Sequence, residues 1–278
     1  MLTNLSKFHA CCFVYERKIL LIILKSPQEI EKMKVAGAIC ASVFTAIRPH
    51  IRPGVSTAEL DKIITDTIRS QGANPACLNY GDPPFPGAAC ISINEEVVHG
   101  IPSKDRILQD GDIVTIDVVA EKDSYHGDAA RTFFCGDVCD EWRELVRVTR
   151  ECFWKGLAMA QVGKRLGDIS HAVQVHAESH GYGVVRDLSG HGIGRDMHED
   201  PDLLNFGRAG RGIRLEAGLC LALEPMITLG DYHVEMLSDE WTIVTADGSP
   251  AAHYENSFAV TEDGPLIFTL EPGETAPF

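Results

Sequence analysis

The sequence predicts an α+β fold made of two pseudo-symmetric halves, each supplying antiparallel strands and outer helices. Two observations carry this: the chain repeats itself, and its apolar runs switch between helical and strand periodicity. Gly54, Leu60 and Gly72 recur 109 positions later as Gly163, Ile169 and Gly181. Leu108, Gly111 and Asp117 recur 107 positions later as Leu215, Gly218 and Glu224. His99-Gly100-Ile101 and His191-Gly192-Ile193 each stand between helix and strand in their own half. The halves are expected over 27–139 and 140–270, inside one domain of 27–278 that follows a 1–26 extension. Packed about a pseudo-two-fold axis, they would form one sheet system with helices outside. That symmetry would bring Asp117 and Glu224 face to face.

The elements follow in order. Ser26-Pro27-Gln28-Glu29 reads as an N-cap, a proline at N1 and a capping-box glutamate. Ile30, Met33, Gly37, Cys40, Phe44 and Ile47 then recur at helical spacing until Pro49 stops the run. A second helix opens at Ser56 with Glu59 three residues on, turns Leu60, Ile63, Ile64 and Ile68 inward, and ends near Gly72. A third begins near Asp140 with Trp142, Leu145 and Cys152 on one face; a fourth begins at Asp168 and ends near Gly181. On that last helix His171, His176 and His180 are read as ordinary residues turned to different sides. The run Ile19-Leu20-Leu21-Ile22-Ile23-Leu24 is far shorter than the about 20 residues a membrane span needs. No small-residue cleavage site follows it, so a short strand, or an upstream start, is the plainer reading.

Composition excludes several classes. A formal charge of −15 argues against a nucleic-acid binder, which would show a basic face. Nine cysteines without a disulfide-like framework fit a reducing cytoplasm. Cys135 and Cys139 lack zinc-knuckle spacing and have no second pair. At 45% hydrophobic the chain can bury one large core or two small ones.

Five residues carry the chemistry: Asp117, Asp128, His191, Glu224 and Glu255. Asp117 closes the apolar run Ile113–Ile116, Asp128 follows His126-Gly127, and His191 stands between glycines. Glu224 closes Leu219–Leu223, and Glu255 precedes Ser257-Phe258-Ala259-Val260. A lone acid at a strand end is ordinarily a solvated turn residue. Five such residues, each against an apolar run or a glycine turn, favour a metal site instead. Four carboxylates with one imidazole suit two divalent ions among Co²⁺, Mn²⁺, Fe²⁺, Zn²⁺ and Ni²⁺, whose charge they balance. Without ions they would repel one another and take up protons. The repeat also points at Glu235 as a partner of Asp128. Glu235 sits among turn residues and is assigned to the surface; Glu255, directly before a strand, is preferred.

These residues, in order, sit in His99-Gly100-Ile101-Pro102, Asp110–Asp117, His126-Gly127-Asp128, Ser189–Gly194, Leu223-Glu224-Pro225-Met226 and Tyr254-Glu255. From about Ser26 onward the chain thereby resembles the methionine aminopeptidases of the pita-bread (creatinase/aminopeptidase) metallopeptidase superfamily. The resemblance implies that Asp117 chelates one ion, His191 binds the other, and Asp128 and Glu255 bridge both. Glu224 would join the ion held by His191 and shuttle a proton. His99 would contact substrate near the scissile nitrogen, and His198 would stabilise the oxyanion. Cys77, Tyr80, Phe85, Cys90, Met197 and Trp241 fall where the family builds its methionine pocket. Residues 81–86 look longer than usual, and Met197 stands where an aromatic is common; both bear on pocket shape, not on the reaction.

The 31 positions from Glu224 to Glu255 leave no room for the insertion of the type II enzymes. Xaa-Pro dipeptidases and creatinase carry a large N-terminal domain that 26 residues cannot form. The resemblance is therefore to the type I enzymes, acting as a cytoplasmic monomer on N-terminal peptides of nascent proteins, with the ribosome a candidate docking partner. Two alternatives stand beside it: an aminopeptidase of other N-terminal specificity, and a metal-free pita-bread binding protein, which would have lost ligands.

Overall fold

A computed structural model describes residues 21–277. The capping boxes are formed as the local sequence dictates. The Ser26 and Ser56 hydroxyls accept from the backbone of Glu29 and Glu59, whose carboxylates accept in return. They open α1 (Pro27–Ile47) and α2 (Thr57–Ser70), with Pro49 inside a 3-10 turn, Arg48–His50, that ends the first run. α3 covers Asp140–Leu157 and α4 Leu166–Ser179. α4 starts earlier than the expected Asp168, which is instead its N3 capping partner; the N-cap is Arg165, a residue type that gives no cap signal. Ile19 and Leu20 lie outside the described residues, and 21–24 form no strand. Leu21 N–H donates to Asp200 Oδ2 instead, and Lys25 pairs with Glu199, both at the start of the strand Glu199–Leu203.

Each half has its own core. α1 and α2 cover one face of a four-stranded sheet built on the hairpin Ile113–Lys122 and Tyr125–Phe134, with Cys90–Ile93 and Asn74–Pro75 on the other edge of its first strand. Phe44, Ile64, Ile91, Ile116 and Phe133 fill the space between. In the second half α3 packs across Ala251–His253, Met226–Thr228 and Cys220–Leu223, and α4 packs on α3 and Gly183–Val184. They lie beside a five-stranded sheet in the order Gly264–Ile267, Asn256–Thr261, Cys220–Leu223, Gly190–Gly192, Glu199–Leu203. Phe153, Ile169, Leu221, Leu223 and Phe258 lie in that core. Two three-stranded sheets complete the molecule, so the expected single sheet system is divided into smaller pieces. One of them joins Val234–Met236 and Ile243–Thr245 to Glu96–Val98 across the halves.

The halves meet backbone to backbone. Ala130 N–H donates to the Glu255 carbonyl at 3.4 Å, and Glu255 N–H donates to the Ala130 carbonyl at 3.0 Å. Arg131, buried beside this seam, donates to the Glu255 carbonyl and to Asn256 Oδ1, and lies 4.2 Å over the Tyr254 ring. Two close approaches explain glycines beside candidate ligands. A Cβ on Gly127 would come within 2.4 Å of the α1 backbone at Gly37, so only glycine lets α1 cross next to Asp128. Cβ atoms on Gly190 and Gly192 would each lie 2.3 Å from a neighbouring carbonyl oxygen. The His191 strand is wedged between two others and cannot take side chains at those positions.

Candidate active site

The five candidate ligands, drawn from both halves, line one cavity of about 150 Å³. Asp117 and Asp128 come from the two strands of the first hairpin. Both lie within their strands, not at the ends where the apolar runs suggested, because cross-strand pairing continues through Lys122 and Tyr125. Glu224 stands in a break between Cys220–Leu223 and Met226–Thr228, where Pro225 cannot donate to a ladder. Glu255 lies opposite, between Ala251–His253 and Asn256–Thr261.

The ladders settle which residues are symmetry partners. Asp128 faces Val119, and the position 107 residues after Val119 is Met226, which faces His253. The second-half counterpart of Asp128 is therefore His253, neither Glu235 nor Glu255; Glu255 corresponds to Ala130 across the seam. Glu235 is exposed, as expected, although it stands in the strand Val234–Met236 and not in a turn.

The cavity is built for cations. His191 Nδ1 donates to the Gly192 carbonyl at 2.9 Å, leaving Nε2 as the lone-pair nitrogen. That Nε2 lies 3.6 Å from both Asp128 Oδ2 and Glu224 Oε1. Ligand atoms of Asp128, His191 and Glu255 all fall within 4.8 Å of one another. Asp117 Oδ1, Asp128 Oδ1 and Glu255 Oε1 are buried with no hydrogen-bond partner, a costly arrangement for a folded protein. Burial pushes the Asp117 carboxyl up to about 7. Burial and then repulsion from neighbouring carboxylates push Asp128, Glu224 and Glu255 well above their ordinary range. Burial, with His198 nearby, lowers the His191 imidazole to about 3, so it stays neutral and available as a ligand. Orphaned carboxylate oxygens around a neutral imidazole of fixed tautomer fit divalent metal.

The rest of the wall is apolar and aromatic. Cys77, Tyr80, Phe85, Cys90, Met197 and Trp241 line it, as does Val119. Phe85 meets Trp241 edge-on at 5.2 Å, and Met197 is buried against the same cluster. His99 and His198 border the same space. The Tyr80 hydroxyl lies 2.6 Å from His198 Nδ1, and the His198 ring sits 4.3 Å from that of His191. His99 adopts φ 59°, packs 6.0 Å from Trp241, and is lowered to about 4 by burial and then by His198.

Sequence reasoning missed two neighbours. Val119 was available from strand alternation, two residues after Asp117 on the same face. His253 was not: it reaches the site only through long-range register. Its Nε2 lies 3.7 Å from Glu255 Oε2 and 3.9 Å from Glu224 Oε2, and burial lowers it to about 3. One expectation is overturned away from the cavity. His176 and His180, four positions apart, share a face of α4, with ring centres 4.7 Å apart.

The profile of metallopeptidase family M24 matches residues 31–262. The methionine aminopeptidase of Clostridium acetobutylicum is 50% identical over 250 residues, covering 90% of this chain and 99% of that protein. Methionine aminopeptidase 1 of Bacillus subtilis is 45% identical, covering 90% of this chain and 99% of its own length. The crystal structure of methionine aminopeptidase from Rickettsia prowazekii superposes with a TM-score of 0.88 at 42% identity, covering 90% of this chain and all 100% of that one. With its five carboxylate and imidazole positions gathered in one cavity, the chain belongs to the metallopeptidase family M24 and, within it, to the methionine aminopeptidases.

Proposed function

We propose that this protein removes the N-terminal methionine from peptides and nascent proteins whose second residue is small, using two divalent ions held by Asp117, Asp128, His191, Glu224 and Glu255. One observation carries the reading: buried carboxylate oxygens without partners line the same cavity as an apolar and aromatic wall. Such ions, when bound, acidify water and polarise a carbonyl. The remaining steps belong to the chain's own side chains. Glu224, which borders the same cavity, takes a proton from the attacking water and delivers it to the leaving amine.

The Tyr80 hydroxyl can donate to His198 Nδ1, which leaves Nε2–H as the donor to the developing oxyanion. His99, beside Trp241, faces the scissile nitrogen. Phe85, Met197 and Trp241 enclose an unbranched thioether side chain, and the flexible Met197 fills the space a ring would otherwise hold.

The test is hydrolysis of Met-Ala-Ser after chelation and after metal add-back. Activity should vanish with the chelator and return with Mn²⁺, Co²⁺ or Fe²⁺. Full activity in metal-free enzyme would falsify the reading. Equal rates on Leu-, Arg- and Met-initiated tripeptides would instead keep a metal aminopeptidase and remove the methionine assignment.

A further inference from the structure

We propose a second, peripheral metal site on the outer helices of the second half, where Glu151, His176 and His180 take one borderline divalent cation of the Zn²⁺, Cu²⁺ or Ni²⁺ class. Glu151 lies on α3; His176 lies on α4, and His180 is the residue that caps it. None of the three lines the catalytic cavity.

Three observations converge. First, helical spacing of four brings the two imidazoles together with ring centres 4.7 Å apart, and one nitrogen of each and a Glu151 oxygen lie within 4.8 Å of one another. A tetrahedral ion with metal–nitrogen distances of about 2.0–2.1 Å wants its ligand atoms roughly 3.3–3.4 Å apart, so the cluster must draw together by up to about 1.5 Å. The closing movement falls on His180, which is exposed, and on a glutamate at the end of a flexible stem. Second, the tautomer of His180 is fixed. Its Nδ1 lies 2.9 Å from the His176 carbonyl, which can only accept, so Nδ1 carries the proton and Nε2 the free lone pair. A backbone carbonyl behind a histidine is the usual device that aims its other nitrogen at a metal. Third, the glutamate is oriented. Arg147 holds Glu151 Oε1 while also pairing with Glu144, which leaves Oε2 turned to His176 Nε2 at 2.9 Å.

Two carboxylates against one guanidinium leave the cluster with a formal negative charge before any cation arrives. Binding breaks the hydrogen bond between His176 Nε2 and Glu151 Oε2: the neutral imidazole takes its Nδ1–H tautomer, and the freed Nε2 lone pair and the carboxylate oxygen both turn to the ion. Two imidazoles and one carboxylate select zinc, copper or nickel over magnesium, calcium or manganese. The ion would clip α3 to α4 without touching substrate.

Equilibrium dialysis of the chelated, full-length protein against Zn²⁺ tests this. Wild type should retain one more equivalent per chain than His180→Ala, and Glu151→Gln should lose the same equivalent. Loaded with Cu²⁺, wild type should show a two-nitrogen paramagnetic signature that His180→Ala lacks. Peptidase activity assayed in Mn²⁺ should be unchanged in His180→Ala. Equal Zn²⁺ uptake by wild type and by the double variant His176→Ala/His180→Ala would overturn the proposal. Because Glu255→Gln removes ions from the cavity alone, the peripheral equivalent should persist in that variant whatever becomes of the proposed reaction.

Discussion

The two halves share a plan but differ in how they use it. In the first, ten paired residues on each strand of the hairpin Ile113–Lys122 and Tyr125–Phe134 run without a break. They turn through Asp123 and Ser124, both at positive φ, the geometry of a tight two-residue hairpin. In the second half the corresponding strands are cut at Glu224-Pro225 and at Tyr254-Glu255, and residues 229–250 replace the tight turn. That longer connection carries the Val234–Met236 and Ile243–Thr245 pair and brings Trp241 to the cavity. The uninterrupted half supplies carboxylates by alternation alone. The interrupted half places Glu224 and Glu255 at its breaks, on the cavity, and adds Trp241 to the wall. Symmetry builds the scaffold, and departures from it build the specificity.

The comparison can be broken most severely at the ligands. Asp128→Asn and Glu255→Gln should lower the rate on Met-Ala-Ser by more than the roughly 10–100-fold typical of residues that merely orient a ligand, with metal content falling in parallel. Asp117→Asn should do less damage, since it is assigned to one ion only. His198→Ala should lower kcat by roughly 10²–10³-fold while metal content stays at the wild-type level; loss of metal in that variant would make His198 a ligand or a structural element.

Arg131→Met attacks the seam itself. It removes a buried cation from the Glu255 carbonyl, Asn256 and Glu274, and should cost about 3–5 kcal/mol in denaturant unfolding. A loss no larger than a surface substitution would mean the seam does not depend on that side chain.

A gentler probe is pH. In metal-free protein the four carboxylates bind protons more tightly than in the unfolded chain, Asp117 titrating near about 7. Their contribution is therefore full at low pH and is lost as pH rises through the raised values. His191, His253 and His99 act in the opposite sense, but only below the ordinary imidazole value of about 6.5. Between about pH 6.5 and 8 the thermal midpoint of the metal-free enzyme should fall, and Mn²⁺ should flatten the slope. The smallest effect belongs to Glu235→Gln, which should stay within about 0.5 kcal/mol and leave the rate unchanged.

What could be read from the residues alone follows the range of the interaction. The capping boxes at Ser26 and Ser56 are contained in four consecutive residues, and both helices begin there. The repeat of Leu108, Gly111 and Asp117 as Leu215, Gly218 and Glu224 was visible because glycine turns and strand starts keep their order in both halves. The end of a strand was not, since apolar runs mark burial whereas the ladder past Asp117 is held by pairing to 125–130. His253 was invisible for the same reason: its counterpart relation to Asp128 exists only in the register of strands far apart in the chain. The His176–His180 pair was legible from spacing alone, and reading that helix as scattering its histidines overlooked a separation of four.

The reciprocal hydrogen bonds between Ala130 and Glu255 also govern the order of assembly. Asp117 and Asp128 precede that junction, while His191, Glu224 and Glu255 belong to the other side, so neither half of the chain holds the full set of proposed ligands. A cation held by that set would not nucleate folding as it does in a zinc finger. Distant segments have to find each other first, a step slowed by the long loops it closes. On the proposed ligand set an ion would be taken up last, as a latch on an already finished chain. Stripping and recharging such a site would then leave the fold in place rather than require unfolding.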